Sequence, residues 1–219
     1  MCFEPIQRDV LGIMKAPNGI IALDADGVLL DYGTAYAGAW AKVFGQRPAL
    51  RDSEAYWPID RWEVQRLAGE QLDRFRAAFD EDFWSTIPAV SGAVDACNRL
   101  VQAGFDLVCI SALDSAYAKA RSRNLATLGF PIERVIVTGG QDGDQSPKAP
   151  AIQKLQPVAF VDDYLPYHRG LPAAVHKALI LRDPVGSPNV GAELAHIDSQ
   201  HADLRDFANW WVDHGTRTK

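Results

Sequence analysis

The stretch IIALDADGVLLD, residues 20–31, decides how the chain folds. Ile20 to Leu23 form an apolar run short enough for a strand buried on both faces, and the run ends abruptly in Asp24. Residues two apart on an extended backbone face the same side, so Asp26 can reach the small volume that Asp24 faces. Gly27 permits a sharp turn immediately afterwards. An acidic loop or an Asx turn would leave the same trace, so the meaning of these acids depends on the rest of the chain.

Four further apolar runs have the same character: Phe105 to Ile110, Arg134 to Val137, Val158 to Val161 and Ala178 to Leu181. Helical patterns separate most of them. SGAVDACNRLVQAGF, residues 91–105, offers Ser91 as an N-cap, sets Val94, Leu100 and Val101 on one face and stops at Gly104. The next pattern starts at Asp114, carries Tyr117, Ala120, Leu125 and Leu128, and closes at Gly129 and Pro131. HADLRDFANWWVDHG near the C-terminus reads as a surface helix burying Leu204, Phe207 and Trp211. Alternation of this kind predicts an α/β fold, a doubly wound Rossmann-like parallel sheet with helices on both faces. From Tyr32 to about Pro88 no strand pattern appears and helical spacing dominates, as in Leu72, Phe75, Phe79 and Phe83, so this interval reads as a helical insertion.

Composition narrows the function. With 219 residues, 47% of them hydrophobic, the chain can bury a full core and carry an insertion. A formal net charge of -6 supplies no basic stripe for a nucleic-acid polymer. Cys2, Cys97 and Cys109 are odd in number and lack C-x-x-C spacing, which speaks against a disulfide scaffold and a thiolate zinc site. The opening MCFEPIQRDVLGIM lacks the apolar stretch of a signal peptide, and no later run is as long as a membrane span. A soluble, cytoplasmic protein is expected. The five histidines do not group at metal-ligand spacing and read as surface or packing residues; His168 lies closest to a motif.

In a parallel α/β sheet ligands gather beyond the carboxyl ends of the strands. LVCISALDS puts Ser111 at such an end, VAFVDDYLP puts Asp162 and Asp163 at another, and SPKAPAIQKL sets Lys148 at the start of a short helix. Each alone is as readily a cap, a turn or a solvated charge. In the order Asp-x-Asp, Ser, Lys, Asp-Asp, from Gly19 to Leu181, they resemble the haloacid dehalogenase-like hydrolase superfamily in its phosphatase branch. A response-regulator receiver also uses several acids and a lysine, but its acidic pair comes on the first strand, so the order fails.

Carboxylates crowded into one crevice call for a cation, and hard oxygen ligands suit Mg²⁺. The resemblance implies the same ion, with Asp24 and Asp162 as side-chain ligands, Asp26 contributing its carbonyl, and Asp163 either a further ligand or a group behind them. It also implies that Asp24 attacks phosphorus, that Asp26 serves as general acid and then base, and that Ser111 and Lys148 hold phosphoryl oxygens. The dehalogenases of the superfamily lack an acid at the position of Asp26, which favours a phosphate ester. By the same resemblance residues 32–88 form a helical cap that brings specificity, over a core built from residues 1–31 and 89–219. Trp40, Trp57, Trp62 and Trp84 fall in that interval; most aromatics there read as its own core, with one or two available to stack on a planar substrate. Arg47, Arg51, Arg61 and Arg66 are candidates for a second anionic group. DFWSTIPAVSGAVDACNRL is similar to the segment after the cap in deoxyribonucleotidases, which makes a nucleotide monophosphate one candidate among small phosphorylated metabolites. The alternatives are a phosphotransferase and a catalytically silent binding protein of the same fold.

Overall fold

The computed structural model describes residues 18–140 and 144–214. Cys2, the N-terminal segment and part of the Gly139 to Pro147 loop lie outside the described residues. Six strands form one parallel sheet: β1 (Ile20–Leu23), β2 (Asp106–Ser111), β3 (Arg134–Val137), β4 (Ala159–Asp162), β5 (His176–Ile180) and β6 (Ser199–His201), in the order β3-β2-β1-β4-β5-β6. The first five occur where the apolar runs predict them. The sixth is polar, three residues long and sits at the sheet edge, so it carries no hydrophobic pattern by which to be read.

Side-chain alternation divides the core between the two faces. Ile21 and Leu23 of β1 pack on one side with Cys97, Leu100, Phe207 and Trp211, whereas Ala22 joins Val108, Ile110, Phe160 and Ile152 on the other. Chain order reverses between β1 and β4: the chain winds outward from β1 through β2 to β3, then returns to the far side of β1. A crevice opens at such a reversal, outside the strand ends.

Between β1 and β2 lie α1 (Tyr32–Phe44), α2 (Pro58–Arg61), α3 (Gly69–Arg76), α4 (Glu81–Ser85) and α5 (Ala93–Gln102). The Phe75, Phe79, Phe83 periodicity is not one helix. Asp80 interrupts it, its Oδ1 accepting from the Phe83 N–H at 2.9 Å as the cap of α4. Helix α5 also departs from expectation. Gly92, not Ser91, caps it without a side-chain bond, and its buried face is Ala93, Ala96, Cys97 and Leu100, with Val101 39% exposed. The remaining helices are α6 (Ala118–Thr127), led by a 3-10 turn that Asp114 caps, α7 (Ala149–Leu155) and α8 (Leu204–His214), which buries Leu204, Phe207 and Trp211 as expected. Among the described residues no helix is long and apolar enough to cross a membrane.

The aromatic residues between β1 and α5 form a continuous stack. Tyr32 meets Trp84 at 6.1 Å with planes 20° apart, Phe79 meets Phe83 edge-on at 4.7 Å, and Trp40 meets Phe75 at 5.4 Å. Phe75 and Phe83 are buried in the same cluster as Ile21 and Leu23, so this helical segment shares its core with the sheet.

Candidate active site

Strand register explains why acids far apart in sequence meet. Leu23 of β1 pairs with Val161 of β4, which sets Asp24 level with Asp162, and the Asp24 N–H donates to the Val161 carbonyl at 2.9 Å. On the other side Leu23 pairs with Cys109, so Ser111 stands two residues further out at the end of β2. Asp24, Asp162 and Asp163 are all buried, and each offers a carboxylate oxygen within 4.8 Å of the others.

Lys148, the residue before α7, lies fully buried among them. Its Nζ donates to Asp24 Oδ1 and, at 2.6 Å, to Asp162 Oδ2. It also lies 4.6 Å from the centre of the Tyr167 ring. Burial alone would lower the Lys148 ammonium, but Asp162 and Asp24 hold it above its ordinary value. Asp162 itself is pushed well above the usual carboxylate range, chiefly by burial and further by Asp24 and Asp163, against the pull of Lys148. Its Oδ1 accepts from the Tyr164 N–H at 2.9 Å.

Asp163 is gripped from elsewhere. Arg182 Nε donates to its Oδ2 at 2.5 Å, the Tyr56 hydroxyl lies 3.2 Å from both that oxygen and the Asp163 carbonyl, and Asn189 Nδ2 donates to the carbonyl at 2.7 Å. Burial still raises the Asp163 carboxyl, opposed by Arg182. Gly27 makes room for this pair: its φ is +100°, and a Cβ there would fall on Asp163 Oδ2 and come within 2.7 Å of Arg182 Nε.

Asp26 lines the same cavity as Asp24, as two-residue spacing predicts, but its side chain is outside the carboxylate cluster. Arg121 Nη2 from α6 donates to both its oxygens, at 2.8 and 2.7 Å. Arg121 is fully buried with its guanidinium 5.3 Å from the Trp84 ring centre. Burial raises the Asp26 carboxyl, Arg121 opposes it, and Asp24 adds to the rise. That is the direction a group must move to carry a proton near neutrality.

The cavity above these groups measures about 380 Å³. Ser111, Leu113, Arg182, Tyr164 and Tyr167 line it from the sheet side, and Tyr32, Tyr56, Trp57 and Trp84 from the helical segment. Trp40 and Trp62 do not reach it, nor do Arg47, Arg51, Arg61 and Arg66. Arg61 pairs instead with Asp183 at 3.1 Å. His168, the histidine closest to a motif, is a packing residue outside the cavity lining; it is buried against Phe160, 5.2 Å between ring centres, and burial drives its imidazole down to about 3. Arg121, Arg182 and Tyr56 are the site residues that sequence reasoning missed. A signal existed for Arg121: it falls beside Ala120 and Asn124 in the buried stripe of α6, where an arginine without a partner would be costly.

Similarity to known structures decides the fold. A hydrolase from Deinococcus radiodurans R1, described as a haloacid dehalogenase family member with bound phosphate and sodium, superposes with a TM-score of 0.61 at 18% identity, covering 93% of this chain and 99% of that one. The chain has the haloacid dehalogenase-like fold. Other structures with this fold include a superfamily hydrolase from Geobacter sulfurreducens PCA (TM-score 0.56, 14% identity, 89% and 98% covered) and an L-2-haloacid dehalogenase (TM-score 0.56, 13% identity, 87% and 97% covered). No protein-family model and no curated protein matches the chain. The haloacid dehalogenase-like fold therefore frames the site, and chemistry must be argued from the residues.

Those residues suit a divalent cation. Three buried carboxylates, with Lys148 between two of them and Arg182 on the third, are a hard-oxygen donor set with one more negative charge than these cations offset.

Proposed function

We propose that the chain is a phosphomonoesterase that hydrolyses a small phosphate ester with the help of Mg²⁺. The observation that carries this reading is the convergence of Asp24, Asp162 and Asp163 at the sheet's carboxyl end, with Asp26 facing the same cavity. Lys148 occupies Asp24 Oδ1, and among the described residues Asp24 Oδ2 has no hydrogen-bond donor, which leaves it to attack phosphorus and form an aspartyl phosphate. Asp26 donates a proton to the departing alkoxide and then accepts one from the water that hydrolyses the intermediate. The Ser111 hydroxyl donates to a phosphoryl oxygen at the cavity floor. Lys148 acts by holding Asp24 and Asp162 in place. A cation bound by Asp24 and the Asp162–Asp163 pair, with the Asp26 carbonyl, would supply the positive charge that lets an anionic ester approach an anionic nucleophile.

In this reading residues 32–88 act as a cap and set specificity, since Tyr32, Tyr56, Trp57 and Trp84 form much of the cavity wall. A cytoplasmic location accords with the free buried thiols Cys97 and Cys109. The deciding assay is phosphate release from a panel of phosphate monoesters with and without Mg²⁺. Asp24→Asn and chelation should each abolish turnover; activity surviving either refutes the mechanism. A haloacid included in the panel should remain intact, because Asp26 serves a leaving group that needs a proton.

A further inference from the structure

We propose that the ester's leaving group is an uncharged aromatic ring system and that the substrate carries no second anionic group. The proposal rests on the phosphatase reading and assigns its substrate class. The cavity has two kinds of wall. Its floor is acidic, with Asp24, Asp26 and Asp163. Its sides are aromatic: Tyr32 and Trp84 stand nearly parallel on one side, while Trp57 meets Tyr164 edge-on at 6.4 Å and Tyr164 meets Tyr167 edge-on at 4.8 Å. Trp57 is 42% exposed, an indole left beside the cavity with much of its surface uncovered. A planar ring entering the cavity would find stacked and edge-to-face partners in this lining.

Charge gives the second half of the inference. Lys148 is spent on Asp24 and Asp162, Arg121 on Asp26, and Arg182 on Asp163 and Asp183. Arg61 pairs with Asp183, Arg51 donates to the Val64 carbonyl, and Arg47 lies over the Trp62 ring. Among the described residues lining the cavity, every cation already has a carboxylate. A second anion on the leaving group would face three acids without a counter-charge and lose its hydration. Esters of alcohols that carry an uncharged aromatic ring fit, including nucleosides bearing a single phosphate; bisphosphates and phosphorylated carboxylic acids are excluded by their second charge, and phosphates of sugars without a base by the lack of a ring.

The experiment compares benzyl phosphate, cyclohexylmethyl phosphate and 4-carboxybenzyl phosphate, which share the phosphate and the methylene. Benzyl phosphate should exceed cyclohexylmethyl phosphate by about tenfold in kcat/KM, the scale of one or two aromatic contacts, and should exceed 4-carboxybenzyl phosphate by at least as much, because that ester's second charge enters without a partner. Trp57→Ala should bring the benzyl to cyclohexylmethyl ratio toward one through KM, and Trp57→Phe should keep most of it; thermal melts of both variants confirm that they fold. Equal rates for ring and saturated ring, or a carboxybenzyl rate matching benzyl, overturn the proposal. Calorimetric binding of the same three esters to the Asp24→Asn protein separates this from the reading beneath it. If the wild type hydrolyses nothing but the variant still prefers benzyl phosphate, phosphatase activity fails and the aromatic site stands. If binding is indifferent to the ring, the aromatic site fails whatever the turnover.

Discussion

The carboxyl end of the sheet and its β5–β6 flank both enclose ionisable groups, and they partner them differently. At the strand ends Asp24, Asp26, Asp162 and Asp163 face Lys148, Arg121 and Arg182 in direct ion pairs. At the flank His176 and His201 both meet the Ser199 hydroxyl, at 2.8 and 2.9 Å, under the Trp210 and Trp211 rings. Burial lowers both imidazoles, so there the neutral form is retained. Concentrated charge that stability alone would not favour makes the first region the candidate site, whereas the second is packing with a polar interior.

Removing a charge at the centre should break the comparison most. Lys148→Met leaves Asp24 and Asp162 facing one another without their shared cation. We expect turnover to fall to background and unfolding stability to drop by about 3 kcal/mol, the cost of orphaning one side of a buried pair. Mg²⁺ should then raise Tm more in this variant than in wild type, because the ion takes over the lost neutralisation. Urea melts measure the loss of stability, and thermal melts with and without Mg²⁺ measure the increment. An increment no larger than in wild type would mean that the ion does not take over the charge Lys148 supplies.

The next effect is steric. Gly27→Ala combines a positive φ with a methyl placed on the Asp163–Arg182 pair. Backbone strain alone costs about 1–3 kcal/mol, and displacement of Asp163 should depress kcat as well. Tyr56→Phe is milder. It removes the hydroxyl that reaches Asp163 from the helical segment, worth about 1 kcal/mol for one hydrogen bond, and should weaken Mg²⁺ affinity without unfolding the protein. A Mg²⁺ titration of activity in the two variants would rank them, and a Tyr56→Phe curve overlying wild type would mean that the hydroxyl does not position Asp163.

How much of this was legible differs between the regions for physical reasons. The acids could be read because strands buried on both faces announce themselves as apolar runs, and a charge that ends such a run has few places to go. Lys148 could be read only through the order of the motifs. Arg121 and Arg182 could not be assigned, since their partners, Asp26 and Asp163, are 95 and 19 residues away and the pairing is made by tertiary packing. Periodicity placed aromatics in the helical segment but could not tell Trp57 and Trp84, which line the cavity, from Trp40 and Trp62, which do not. Strand β6 stayed hidden because Ser199, Gln200 and His201 have no apolar alternation, and β5 dictates the pairing.

The smallest expected effect lies at the flank and tests whether its histidines are neutral. His176 faces Asp198, His201 and Lys177, and His201 faces Asp206, yet burial dominates and sets both imidazoles below their ordinary value. Above the unfolded-state pKa of about 6.5 both states are uncharged and the full stability is present. As pH falls below that value the unfolded chain takes up protons first, and stability is lost progressively until the folded-state imidazoles titrate. Between pH 7.5 and 5 the wild-type Tm should therefore decline. A variant carrying His176→Gln and His201→Gln keeps a polar partner for Ser199 and should start from a lower Tm with a shallower decline. If the two Tm curves instead run parallel over this range, the histidines are not held neutral, and the contrast between the regions disappears.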